Sequence, residues 1–258
     1  MTIDMYHEVH GEGFPTILLH GGIGASEMFG DVLALLAEGR QVIAPHLQGH
    51  GRTPDVDRPL RDEDLGDDVA ALAARLGHDR VDLVGYSFGA AAAIQTAIRH
   101  PGRVRRLVVV AEPLRSDAWF PEARAQLDQM AAAAEHIGPA VQAGPLGELY
   151  PEVDYTALFR KMGELVARPY DWTAAFAEAA THTDGVMLVM ADADGFDPAH
   201  YVEVYKSIGG ARRDPGLPEQ GGEGHGPHRL AIVPGVTHYD ILTASPHLGG
   251  QIAGFLDG

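Results

Sequence analysis

Val81-Asp82-Leu83-Val84-Gly85-Tyr86-Ser87-Phe88-Gly89-Ala90-Ala91-Ala92-Ala93-Ile94 is the stretch whose reading decides the fold. Residues 81–84 form a strand-like run. The residues from Phe88 to Arg99 are alanine-rich and read as a helix, ended by His100-Pro101-Gly102. Between them, Gly85-Tyr86-Ser87-Phe88-Gly89 predicts a sharp strand-to-helix turn. Both flanking positions must be small for strand and helix to approach, and the serine takes a strained backbone that lifts its Oγ clear of the sheet. With five serines and 32 glycines in 258 residues, chance supplies only ~0.08 such matches before a strand and a helix are also required. The helix N-terminus behind Ser87 aims amides at any negative charge that develops there.

Outward from this turn, similar apolar runs occur at 16–19, 41–44, 107–110, 186–190 and 230–233. Each is aliphatic throughout rather than alternating, which predicts strands buried on both faces. Helical periodicity covers 27–38, 64–76 and 88–99. Strand–helix alternation of this kind predicts an α/β fold, a mostly parallel doubly wound sheet with helices on both faces. The alternation stops after Ala111. Residues 113–184 hold no strand-like run but three amphipathic helical stretches, near 121–136, 154–167 and 172–181. Gly138-Pro139, Gly144-Pro145 and Arg168-Pro169 separate them. This block reads as a helical cap inserted into a core made of residues 1–112 and 185–258. Residues 209–228, crowded with Gly, Pro, Arg and Glu, predict a long mobile loop.

Composition narrows the function. The chain has no cysteine, which excludes a disulfide scaffold, a cysteine zinc site, an iron–sulfur cluster and a cysteine nucleophile. With 45% hydrophobic and 21% charged residues it can bury a sizeable core. Its formal charge of −17 repels phosphate backbones, so neither nucleic acid nor an anionic membrane is an expected partner. Met1-Thr2-Ile3-Asp4 lacks the basic start and apolar stretch of a signal peptide. No run reaches the ~18 apolar residues of a membrane span. The expectation is a soluble, cytoplasmic protein.

A serine hydroxyl is a weak nucleophile without a base. Among 14 histidines, position singles out His238. It follows the last strand-like run through Pro234-Gly235-Val236-Thr237, at the sheet edge that also carries Ser87. His100 reads as structural in its helix-ending Arg-His-Pro, and His225 and His228 as loop residues. The pairs His7/His10, His46/His50 and His225/His228 lack a carboxylate constellation, so no metal site is expected. The base needs an acid to hold its tautomer. Asp192 and Asp194 follow the run at 186–190, Asp197 reads better as a helix cap, and Glu112 competes from the end of the run at 107–110. His20-Gly21-Gly22-Ile23-Gly24, after the first core run, supplies a backbone turn whose amides can face the site.

These motifs resemble the α/β-hydrolase-fold serine hydrolases, the broad group of carboxylesterases, enol-lactonases and cofactor-free haloperoxidases. His20-Gly21-Gly22, Gly85-Tyr86-Ser87-Phe88-Gly89, Asp192-Ala193-Asp194 and Gly235-Val236-Thr237-His238 stand in that family's order of oxyanion turn, nucleophile, acid and histidine. The resemblance implies Ser87 as nucleophile, His238 as base and Asp194, the second acid of the turn, as its partner. It also implies oxyanion amides at Gly22 and Phe88, no cofactor and no metal. Two motifs depart from the family. His46-Leu47-Gln48-Gly49-His50-Gly51-Arg52-Thr53 lacks the usual acid and arginine, and Ala191 stands for a glycine before Asp192. Serine at 87 argues against the haloalkane dehalogenases and epoxide hydrolases of this fold, which use aspartate there.

The expected reaction is hydrolysis of a small, hydrophobic or aromatic carboxylic ester through an acyl-enzyme. The alternatives are lactone or carbon–carbon hydrolysis or perhydrolysis with the same residues, or a non-enzymatic small-ligand receptor. Ile23 and Tyr86 beside the turns, and Trp119, Phe120, Phe159 and Trp172 in the cap, are the expected substrate-binding residues.

Overall fold

The computed structural model describes residues 2–212, 226–244 and 247–258. All six apolar runs become strands: β2 (Phe14–Leu19), β3 (Arg40–Pro45), β4 (Val81–Tyr86), β5 (Val104–Val110), β6 (Gly185–Ala193) and β7 (Arg229–Thr237). A further strand, β1 (His7–His10), precedes them. The sheet order is β1-β3-β2-β4-β5-β6-β7, parallel throughout except for β1, which pairs antiparallel with β3.

The central strands are apolar on both faces because both faces are covered. Ile17 and Leu19 of β2 point into one buried cluster and Leu18 into the other, and Leu83 and Val84 of β4 divide in the same way. One face carries α2 (Asp62–Arg75) and α3 (Phe88–Arg99), and the other α1 (Gly30–Ala37) and α9 (His247–Asp257). β7 departs from the expectation of a strand buried on both faces. It ends the sheet order with a neighbour on one side only, and Ile232 is 46% exposed. β1 escapes sequence reading because its histidines and glutamate suit a half-exposed antiparallel edge.

Between β5 and β6 lie α4 (Pro121–Gln142), α5 (Pro145–Leu149), α6 (Tyr155–Val166) and α7 (Thr173–Ala180), with no strand among them. Gly138-Pro139 does not break α4, as the sequence suggested it would. The helix runs on through Pro139 because it lies tightly along α6. A Cβ on Gly138 would overlap Thr156, and one on Gly163 would overlap Ala131. That close packing offsets the roughly 3 kcal/mol that an interior proline costs. α8 (Pro198–Ser207) follows β6. Much of the loop expected at 209–228 lies outside the described residues. No helix among the described residues is long and apolar enough to cross a membrane.

Candidate active site

Parallel strands end at the same edge, so the turns after β2, β4, β5, β6 and β7 stand side by side. Ser87 follows β4 with φ 49° and ψ −122°, a left-handed conformation that a non-glycine residue adopts at a cost. Its glycines are required by contact. A Cβ on Gly85 would meet Ala90 Cα at 2.6 Å, and one on Gly89 would overlap the carbonyl oxygens of Leu19 and His20. The Ser87 amide donates to Val110 O at 2.8 Å, which pins the turn to β5.

His238 stands immediately after β7. Between Ala191 and Ala193 of β6, the register jumps from Val233 to Thr237, so β7 bulges where it approaches the turn. Asp192 holds that bulge, accepting from the amides of Gly235 at 2.9 Å and Val236 at 3.3 Å. Tyr86 lies beneath the histidine: its hydroxyl donates to His238 O at 2.6 Å, and its ring fills the place a Gly21 side chain would take. Burial raises the Tyr86 phenol well above its ordinary range, so it stays a donor.

Ser87 Oγ lies 3.1 Å from His238 Nε2, and His238 Nδ1 lies 2.9 Å from Asp194 Oδ1. The Asp194 side chain is wholly buried and also accepts from the amides of Gly195 at 2.7 Å and Ala191 at 3.3 Å. The four candidate acids therefore separate by contact. Asp194 meets His238 and Asp192 braces the β7 turn. Asp197 caps α8 by accepting from Ala199 N at 2.8 Å. Glu112 is 8% exposed and accepts from the Tyr170 hydroxyl at 3.2 Å, not from His238. Burial, with the negative charges of Asp62 and Asp194, pushes its carboxyl well above the usual range.

The amides of Gly22, in the turn after β2, and of Phe88, in the turn after β4, donate to no backbone acceptor among the described residues. Ile23 has φ 67°, an uncommon strain for a β-branched residue. Three buried histidines cluster by the turn after β2, with the His50 ring 5.1 Å from that of His20. His20 Nδ1 pairs with Gly21 O at 2.7 Å, and His46 Nε2 with Ser26 Oγ at 3.1 Å. His50 Nδ1 pairs with Gln48 O at 2.9 Å, and burial drives its pKa down to about 4. His100 bonds Asp67 at 2.8 Å and His228 accepts from Val186 N at 3.1 Å, while His225 lies outside the described residues.

The expected substrate contacts disperse. The Trp119 ring stands edge-on to His238 at 6.1 Å, and its Nε1 donates to the Tyr170 hydroxyl at 3.3 Å. Trp172 stacks on Tyr170 at 4.1 Å, one residue further from the site. Phe159 is buried among core residues and Phe120 is 42% exposed; neither makes a ring contact with His238. Two neighbours of the site were not singled out from sequence as site residues. Tyr239 is 85% exposed with its ring 5.3 Å from that of His238, and Met162 of α6 lies against Gly22. Adjacency to His238 could have marked Tyr239; no local signal marks Met162.

Such an arrangement can move a proton from a serine hydroxyl to an imidazole backed by a buried carboxylate, beside two unengaged amides. Comparison with known proteins agrees with the architecture. Residues 15–140 match the family model described as alpha/beta hydrolase fold. The 2-hydroxymuconate semialdehyde hydrolase of Pseudomonas sp. (strain CF600) is 42% identical over 108 residues, 39% of this chain and 37% of that protein. The putative carbamate hydrolase RutD of Caulobacter sp. (strain K31) is 36% identical over 162 residues, 58% of each chain. These matches thus span well under two thirds of either relative. Among solved structures, the enol-lactonase from Burkholderia xenovorans LB400 superposes with a TM-score of 0.72 at 18% identity, covering 98% of this chain and 96% of that one. At that identity the likeness is one of fold.

Proposed function

We propose that this chain, an α/β-hydrolase-fold protein, is a serine hydrolase that cleaves small carboxylic esters through an acyl-enzyme. The observation that carries the reading is the line from Ser87 Oγ through His238 to the buried Asp194, at 3.1 and 2.9 Å. Ser87 attacks the ester carbonyl as His238 Nε2 takes its proton. The amides of Gly22 and Phe88 receive the oxyanion, each worth about 2.7–4 kcal/mol of barrier. His238 then hands the proton to the departing alcohol, and water repeats the sequence to release the acid. Neither metal nor cofactor enters these steps. In this reading, residues 113–184 form a cap over the site.

A second reading, lactone or carbon–carbon hydrolysis with the same residues, draws on the 42% identity to the 2-hydroxymuconate semialdehyde hydrolase. Both readings require Ser87. Turnover of p-nitrophenyl acetate by the wild type, and its loss by at least about 10⁴-fold in Ser87→Ala, is the expected result. Equal rates in the two proteins would overturn the proposal.

A further inference from the structure

The candidate site has two unlike sides. On the His238 side stand rings: Trp119 at 6.1 Å, Tyr239 at 5.3 Å and Tyr86 at 5.7 Å. On the other side stands one thioether. Gly22 has no side chain, and the space one would occupy is filled by the Met162 methyl, with Met162 Sδ at 3.5 Å and Phe88 Cβ at 3.8 Å from that position. Met162 thus lies against Gly22, one of the two residues whose amides would receive the oxyanion, and it is 5% exposed.

The helix that carries it is fastened to the core. One turn earlier, Leu158 Cδ1 lies 3.5 Å from the place of a Gly49 side chain. Residues 158 and 162 share a helix face, so two bare glycine turns receive two successive side chains of α6. Lys161 Nζ clamps the same helix, donating to Asp55 Oδ2 at 2.6 Å, Arg58 O at 2.8 Å and Val56 O at 2.9 Å. Met162 is therefore carried by a helix that is fastened to the core on the same side.

The chemistry tells the two sides apart. In acylation the Ser87 Oγ–carbonyl bond forms and the carbonyl–alkoxy bond breaks. The serine proton passes through His238 Nε2 to the departing oxygen, so the leaving group must lie on the His238 side. The carbonyl oxygen turns to the amides of Gly22 and Phe88, so the acyl substituent takes the remaining direction, away from His238 and alongside the Gly22 turn that Met162 covers. We propose that Met162 is the residue that sets acyl-chain length and confines the enzyme to short acyl groups, with the bulk of the alcohol left to the ring-lined side. The inference rests on the serine-hydrolase reading above.

Two ester series test it. One varies the acyl group of p-nitrophenyl esters from acetate to octanoate; the other varies the alcohol of acetate esters from ethyl to benzyl and naphthyl. For the wild type, kcat/KM falls at least tenfold from acetate to hexanoate. In Met162→Ala the hexanoate-to-acetate ratio rises about tenfold or more, the range a methylene-sized change in a pocket commands. Met162→Leu, of similar volume, restores the wild-type ranking, and the alcohol series keeps its order in all three. An unchanged acyl ratio in Met162→Ala, an equal shift in the alcohol series, or a wild type that already prefers octanoate would each overturn the assignment. Should Met162→Ala melt below the assay temperature, Met162→Val is read by the same ratio. Absence of ester turnover in the wild type would instead sink the parent reading, which separates the two failures.

Discussion

The carboxyl edge of the sheet and the helical block between β5 and β6 are built by different means. At the edge, backbone is a partner in nearly every hold. Ser87 is pinned by its amide to β5, Gly85 and Gly89 leave no room for a side chain, and Asp192 ties the β6 turn to the β7 bulge. In the helical block, side chains do the holding: Lys161 on three core oxygens, Tyr150 on Glu27 at 2.6 Å, Arg124 on the carbonyls ending α6. Chemistry needs geometry held to a fraction of an ångström, and steric necessity supplies it. In the reading proposed here the helical block serves only as a wall, and a wall made of side chains can be changed without moving the site.

The largest test of this contrast sets two carboxylates at one edge against each other. Asp194→Asn should lower kcat by about 10⁴-fold with its circular dichroism and Tm close to wild type, because the wrong His238 tautomer is stabilised. Glu112→Gln should change kcat less than about threefold: an amide oxygen still accepts from Tyr170, and burial already disfavours a charge on this side chain. A reversed outcome would transfer the acid role to the end of β5.

Next come two glycines, one from each region. Gly89→Ala forces a side chain into the β2 carbonyls and should cost about 1–3 kcal/mol in urea melts and most of the activity. Gly138→Ala crowds Thr156 between α4 and α6 and should cost a similar amount of stability while sparing acetate turnover. Loss of activity in both at equal Tm would show that the helical block shapes the reaction itself.

The smallest effect expected is a pH-dependent one. Burial, with Glu63 nearby, pushes Asp62 at the start of α2 up to about 7. The raised value means that the folded state resists ionisation, so this contribution to stability is full below about pH 4 and is lost as pH rises through 7. Asp62→Asn removes the penalty, and its Tm should exceed wild type by more at pH 8 than at pH 5. An equal offset at both would show that Asp62 is not held neutral.

How far the sequence reads this protein depends on the range of the forces involved. The strands are legible because double burial requires unbroken aliphatic runs. Ser87 is legible because it stands between two glycines at a strand-to-helix step, Gly85 required by the helix start just after it, although Gly89 answers to the distant carbonyls of Leu19 and His20. The order of the motifs along the chain also placed Asp194 and His238 at one edge, since parallel strands end together. Other features were decided only in three dimensions. Asp197 reads as a helix cap from sequence, but residue chemistry alone does not part Asp192 from Asp194; they part because His238 and the β7 bulge arrive from more than forty residues on. α4 continues through Pro139 because α6 lies against it, a contact no local propensity encodes. Met162 is one apolar residue among many on a helix until Gly22, 140 positions earlier, offers it an empty place. Local sterics are written into neighbouring residues, whereas the choice among equivalent side chains falls to partners that only the folded chain brings within reach.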